Sequence, residues 1–386
     1  MVDVPATIAT IGEVLKARSH SWRTISERLL INEEDLLNQI RAGAPSGLLG
    51  RMADELAVPA FVLQMERLAL PDTPLPDFRR RAGQASNLSK STLKIIDGAR
   101  RLQALAADSG HSCRRFPSVT RVGLREAQFA NRLRTELGIS VDEQLEAPDF
   151  RVFYATVRRK IEDRGILVIH QSYEPKDGSG FCLAHESCQV IIINTKNQSA
   201  ARRVFTIVHE LGHVILGKSA ISDPFDVDGN VNPYEAACNS FASYFLLPAQ
   251  LVRQSFERFG SPRRPDFSII AALSQRLKVS QQAVALRLSH LRLVEGAYYD
   301  HWVRQHERLG NPDLVSVSGP MRRLPDERMK LAKFGFAFAR IFSRAISEEK
   351  ISEVDLYRAS GLKPQLQVPY FRHARTASAA DADYVE

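Results

Sequence analysis

The chain has 386 residues, 44% of them apolar and 25% charged, with a formal net charge of +8, the proportions of a water-soluble globular protein of two or three domains. It contains no run of 18 apolar residues and no basic-then-apolar start, which argues against a membrane span or a secretory leader and leads to the expectation of a cytoplasmic protein. Cys113, Cys182, Cys188 and Cys238 form no CxxC pair, so neither a zinc knuckle nor a disulfide framework is expected.

Charge is uneven along the chain. Residues 1–77 carry seven basic against eleven acidic residues, a net of −4, whereas residues 78–134 carry thirteen against three, a net of +10. Such a basic segment suits nucleic acid, an acidic partner or a solvated face.

The first 70 residues read as short helices over about 8–18, 22–30, 33–42 and 47–57. Ile25, Leu29, Leu30, Leu36, Leu37 and Ile40 have the spacing of a small helical bundle. The order of these helices resembles a worn helix-turn-helix of the phage-repressor type. The start of its would-be recognition helix is Glu33-Glu34-Asp35, and three carboxylates there would meet phosphates and base edges with the wrong charge. A docking or dimerisation role is therefore expected ahead of DNA reading. The proline-spaced run LPDTPLPDF follows as a linker.

Helices are predicted over about 89–108 and 121–137, with a loop near 109–118, and another over 148–163. Ile166–His170, Gly180–Ala184 and Cys188–Ile193 are β-rich runs, the last two joined by a tight His185-Glu186-Ser187 turn. Gly178–Phe181 or the neighbouring strand is expected to align an extended peptide through its main chain.

Ser199–Gly217 then contains His209, Glu210 and His213 as HExxH. On a helix, residues four apart share a face, so both imidazoles can reach one ion, with Glu210 beside its open position. Val204, Phe205, Ile207, Val208, Leu211, Val214 and Ile215 make this helix apolar on nearly every side, with Ser199 as N-cap and Gly217 as the C′ residue. Asn232-Pro233 starts a second helix that runs to Leu247 before Pro248. Glu235 on it can close a His₂Glu zinc site, and Asn239, one turn on, can orient a ligand from behind.

HELGHVILG preceded by RRVFTIV, then ExxxNxFAxxFLLP, resembles the ImmA/IrrE family of metallopeptidases over about residues 150–295. By that resemblance His209, His213 and Glu235 hold Zn2+ and Glu210 is the general base. Cys238 stands where alanine is common in the family. Family members are regulatory proteases that cut a DNA-binding repressor, and many carry a helix-turn-helix domain at the amino-terminal end. Tyr234, Tyr244 and His185 are candidates for stabilising the oxyanion.

Residues 267–293 form a second helix-turn-helix-like unit with Val279-Ser280 at the turn. Gln281 and Gln282 have the chemistry of base readers, although inclusion of the stretch in the resemblance favours a structural role. Tyr298–Arg308 and about 325–347 read as helices, the second with Phe334, Phe336, Phe338 and Phe342 as core residues.

The expected fold is thus α+β: a zincin-like metallopeptidase domain with a small mixed sheet and the HExxH helix, flanked by helical, helix-turn-helix-like domains. The segments are 1–70, a linker and basic helical segment 71–149, the peptidase domain 150–262, a helical subdomain 263–310, a C-terminal helical region 311–372 and a disordered tail 373–386. The expected function is a zinc-dependent regulatory endopeptidase making limited cuts in a partner protein, a helix-turn-helix repressor, with no membrane involvement. The alternative is a DNA-binding transcriptional regulator whose metal site is a sensor or non-catalytic.

Overall fold

The computed structural model describes residues 6–65, 88–196, 198–222, 232–308 and 325–378. The chain divides into two compact units, Met1–Gly98 and Ala99–Glu386. The segment read as residues 1–70 lies in the first, and the segments 150–262, 263–310 and 311–372 lie in the second. The expected LPDTPLPDF linker falls outside the described residues.

The first unit holds α1 (Ile8–Ala17), α2 (Trp22–Leu29), α3 (Glu33–Arg41), α4 (Ser46–Glu55) and a 3-10 turn at Ala60–Gln64. Thr7, Ser21 and Asn32 cap the first three helices by accepting backbone N–H bonds of 3.1, 3.1 and 2.9 Å. Ile11, Val14, Ile25, Leu36, Ile40 and Met52 form the core. Leu30 departs from the expected apolar stripe: it takes the left-handed cap position of α2 (φ 55°) and is 93% exposed. Glu33, Glu34 and Asp35 stand exposed at the start of α3, where carboxylates suit the helix dipole.

The boundary between the units falls within α5 (Lys90–Asp108). Beyond it lie α6 (Arg121–Leu124), α7 (Ala127–Glu136), α8 (Val141–Glu146) and α9 (Phe150–Glu162). The single helix expected over 121–137 is broken into α6 and α7, just after Gly123, the poorest helix former in the run. Strands β1 (Leu167–Gln171), β2 (Gly180–Leu183), β3 (Val190–Asn194) and β4 (Ala220–Ser222) form one sheet in the order β1-β3-β2-β4. β1 runs parallel to β3, and β2 is antiparallel to both β3 and β4.

The mixed sheet and its hairpin match the sequence reading, but β4 does not figure in it. Three residues carry too little pattern to read as a strand. Gly180 pairs with Ile193 on one side and Ser222 on the other. The strand expected to align a peptide is therefore internal, and β4 is the edge on that side of the described sheet.

α10 (Ala200–Ile215) packs against the sheet and α11 (Pro233–Leu246) packs against α10, followed by α12 (Ala249–Glu257), α13 (Phe267–Leu277), α14 (Gln281–His290) and α15 (Tyr298–Arg308). One apolar core joins Ile191, Ile193, Val204, Val208, Leu211, Phe241, Phe245, Leu273 and Leu288. Within the second helix-turn-helix-like unit, Ser274 Oγ donates to Val279 O at 2.6 Å and Ser280 caps α14. Gln282 Nε2 donates to Tyr299 OH at 3.3 Å, which turns one of the two candidate base readers onto α15.

The chain closes with α16 (Asp326–Ser347), α17 (Glu353–Ser360) and α18 (Pro364–Thr376). The aromatics Phe334, Phe336, Phe338 and Phe342 are core residues, as read from sequence. The helix is not continuous, because Gly335 adopts φ 76°, ψ −174°. The groups this break frees are taken up by a buried ion pair from α9. Arg158 Nη1 donates to Ala332 O at 2.7 Å, Phe336 N donates to Glu162 Oε2 at 2.7 Å, and Arg158 Nε lies 2.9 Å from Glu162 Oε1. The ion pair thereby satisfies backbone groups that would otherwise be buried without partners. Residues 373–376, expected within a disordered tail, belong to α18. Tyr370, buried on that helix, donates its hydroxyl to Gly335 O and anchors it. Residues 379–386 lie outside the described part.

Candidate metal centre

Helix α10 forms where the sequence signals it. Ser199 Oγ accepts from Arg202 N at 3.3 Å. At the other end Gly217 takes φ 63°, with Gly217 N bonded to Val214 O and Lys218 N to His213 O, the paired bonds of a Schellman stop. For α11, Asn232 Oδ1 accepts from Tyr234 N at 2.9 Å with Pro233 in the first turn. The four-residue spacing on α10 brings His209 and His213 together with ring centroids 4.9 Å apart.

The two helices meet at a glycine. A Cβ on Gly212 would lie 3.0 Å from Cys238 Sγ, 3.2 Å from its Cβ and 3.3 Å from its Cα. Only hydrogen at that position lets α11 approach so closely, and the approach carries Glu235 onto the histidines. Glu235 Oε2 lies 3.1 Å from His209 Nε2, Glu235 Oε1 lies 2.9 Å from His213 Nε2, and the two Nε2 atoms are 3.1 Å apart. Asn239 Oδ1 lies 2.8 Å from His209 Nδ1. The imidazoles are fully buried and Glu235 is 4% exposed.

This donor set fits a transition metal. Ligand atoms about 2.0–2.1 Å from a tetrahedral ion are separated by about 3.3 Å, close to the 2.9–3.1 Å between the two Nε2 atoms and from each of them to one Glu235 oxygen. Two neutral nitrogens and one carboxylate are also the ligand types such an ion takes. Burial disfavours the imidazolium at both histidines. At His209 the Glu235 carboxylate outweighs it and the pKa rises, whereas at His213 burial prevails and the pKa falls. Glu235 is itself held down to about 2, against its burial, by the two imidazoles. Cys238 has its thiol pushed well up by burial, which keeps it a neutral packing group and not a ligand.

Glu210 is fully buried on α10 beside this triangle and faces the sheet. A Cβ on Gly180 would come within 3.0 Å of Glu210 Oε1, Ile192 O and Thr206 Cγ2, so β2 can pass the carboxylate only as glycine. Four residues that the sequence reading does not single out thus shape the site: Gly180, Gly212, Asn194 and Gln198. Asn194 Nδ2 donates to Gly178 O at 3.0 Å and Tyr173 O at 3.2 Å, and Gln198 Nε2 donates to Ser179 O at 2.6 Å. These bonds pin the segment that leads into β2. The glycines stand in the sequence as GSGF and HELGH, but the partner each one admits is distant along the chain.

The structure brings His209, Glu210, His213, Glu235 and Asn239 together. The oxyanion candidates have other contacts. Tyr234 has its ring under Arg121 and Lys218, at 5.4 and 5.7 Å; Tyr244 lies under Arg287 at 4.8 Å; and His185 Nδ1 accepts from Ser187 N at 3.2 Å. None of these contacts assigns the residues to a substrate oxygen.

Comparison with known proteins points the same way. Residues 161–289 match the peptidase family model described as the IrrE N-terminal-like domain. The chain is 31% identical over 105 residues to the radiation response metalloprotease IrrE of Deinococcus radiodurans, a stretch covering 26% of this chain and 30% of the relative. The protein of the same description from Deinococcus deserti is also 31% identical over 105 residues, covering 26% of this chain and 36% of the relative. The match therefore spans about a third of the length of these curated relatives. In its central part the chain is similar to metalloproteases, and the buried His209, His213 and Glu235 group could hold the metal ion that such a family implies.

Proposed function

We propose that the chain is a zinc-dependent endopeptidase of zincin-like architecture that makes limited cuts in a partner protein in the cytoplasm. The observation that supports this reading most is the convergence of His209, His213 and Glu235 into one buried triangle with Glu210 on the same helix. His209, His213 and Glu235 would hold the ion. When bound, zinc supplies Lewis acidity, polarising a peptide carbonyl and acidifying water.

The remaining chemistry belongs to the protein. Asn239 accepts the Nδ1 proton of His209, which fixes the tautomer and leaves Nε2 as the donor atom. Glu235 stays ionised and offsets part of the cation's charge. Glu210, in a carboxylate position bounded by Gly180, takes a proton from water and delivers it to the leaving amine. β4, next to β2 at the edge of the described sheet, is the strand we assign to pairing with an extended substrate through its backbone.

A site of this kind has no preference of its own among peptides, so selectivity is assigned to the surrounding helices. The partner we favour is a DNA-binding repressor of helix-turn-helix type, cut at an exposed segment. The acidic start of α3 favours docking over DNA reading by the first unit. The Gln282–Tyr299 bond favours a structural role for α13 and α14.

Metal analysis of the purified chain under non-chelating conditions tests this function. One zinc per chain is expected, lost on replacing His209, His213 or Glu235 by Ala and kept in Glu210→Ala. A chain that carries no transition metal under those conditions would overturn it.

A further inference from the structure

A second cluster of reactive side chains lies apart from the metal centre, where the segment after α5 meets the start of β3. Cys113 N donates to Ser187 O at 2.8 Å, and Gln189 N donates to Cys113 Sγ at 3.4 Å. That is the bonding of two residues opposed in a parallel ladder, with the Cys113 sulfur standing where a backbone carbonyl would accept. Cys113 is thereby set opposite Cys188. Neighbouring strands lie about 4.8 Å apart, within the Cα separation of about 4.4–6.8 Å that a disulfide spans. His111 Nε2 lies 3.6 Å from Cys113 Sγ.

Cys113 is 4% exposed and Cys188 fully buried, and a cavity adjoins the chain on either side of Cys113. This cavity of about 680 Å³ is lined by Ser112 and Arg114, the chain neighbours of Cys113, by His111, and by Gly165, whose carbonyl accepts from Cys113 Sγ at 3.2 Å. Arg114 and Arg164 on the same wall give it positive charge, which favours a thiolate close by.

We propose that Cys113 and Cys188 form an oxidation-responsive dithiol, which hydrogen peroxide converts into an intramolecular disulfide tying the segment after α5 to the start of β3. The attacking sulfur is Cys113. Its pKa is drawn down by the neighbouring Cys188 thiol, against its burial, and by His111 and Gln189 N, while the Cys188 thiol is pushed up. The Cys113 thiolate attacks one peroxide oxygen, the O–O bond breaks, and hydroxide leaves and is protonated to water. Cys113 is now a sulfenic acid, two electrons more oxidised. The Cys188 thiol then loses its proton and its sulfur attacks Cys113 Sγ; the S–O bond breaks and a second water leaves. The balance is two thiols and one peroxide giving one disulfide and two waters. Cys182 and Cys238 are buried with their thiols pushed well up, so they are poor nucleophiles under the same conditions.

The test is peptide mapping of the full chain after a peroxide titration, with free thiols alkylated before denaturation and no reductant in the digest. A Cys113–Cys188 cross-linked peptide is expected before any oxidation at Cys182 or Cys238, and it disappears on treatment with dithiothreitol. In Cys188→Ser the expected product is a sulfenic acid at Cys113 that a dimedone probe captures, and in Cys113→Ser residue 188 stays reduced. The proposal is overturned if all four cysteines oxidise in parallel, or if Cys113 proceeds to sulfinic acid in the wild type with Cys188 still free. The readout needs no peptidase activity, so it stands or falls separately from the function proposed above.

Discussion

Asn239 Oδ1 sits 2.8 Å from His209 Nδ1, one turn along α11 from Glu235, so the helix that delivers one candidate ligand also orients the ring of another. A carboxamide there accepts without adding charge. Replacing Asn239 by Leu should leave the ligand triangle in place yet weaken metal affinity by about 10–100-fold. Competition against a chromophoric chelator measures this, and Asn239→Asp, which keeps an acceptor, should lose less.

The contact between Gly212 and Cys238 makes the second prediction. A methyl group at position 212 would stand 3.0 Å from Cys238 Sγ and 3.3 Å from a backbone atom, so α11 must move away from α10. Gly212→Ala should cost about 1–3 kcal/mol of stability as an overpacked core does. It should also weaken metal binding, since Glu235 moves with the helix. Adding Cys238→Ala removes the nearest atom and should recover part of both losses, as read by urea denaturation and chelator competition.

The kink of α16 is the third. A Cβ on Gly335 would fall 1.9 Å from Glu162 Oε1 and 2.6 Å from Arg158 Nη2, at a backbone φ of 76°. Gly335→Ala should therefore break a buried ion pair and cost about 3–5 kcal/mol. Denaturant unfolding of the full chain measures it, and an unchanged midpoint would show that the pair is not what holds the kink.

The metal-free chain should also have a characteristic pH dependence. Burial opposes charge on both groups, but mutual attraction holds Glu235 near 2 and raises His209 above its ordinary 6.5. A depressed carboxylate stabilises above its ordinary 4.5 and loses that contribution as pH falls through about 2. A raised imidazole stabilises below 6.5 and loses its contribution as pH climbs through the folded-state value. Both contributions are complete between 4.5 and 6.5. After chelation, the Tm difference between wild type and Glu235→Gln should be largest in that window and shrink on the alkaline side.

The candidate site was legible because the residues that compose it are locally encoded. His209 and His213 need only helical spacing, and the Asn232-Pro233 start places Glu235 in the first turn of α11, although its approach to the histidines also rests on Gly212. What escaped the sequence depends on partners far along the chain. Gly180 and Gly212 look like ordinary glycines until Glu210 and Cys238 are seen against them. Nothing local in the sequence marks Arg158 and Glu162, one helical turn apart, as buried; both are, and they bond the backbone on either side of Gly335, far downstream. β4 is too short to show a period, and its edge position follows only from pairing with β2.

The most direct measurement is a comparison of new protein N-termini in cells producing the wild-type chain or Glu210→Gln, with zinc content checked on both purified proteins. Our account predicts a small set of cleavage sites, confined to one or a few proteins, that appears with the wild type and is absent with the variant while both carry equal zinc. The same cleavage sites with both proteins would contradict the role of Glu210. No new N-termini with a zinc-loaded wild type and its partner present would contradict the peptidase reading itself.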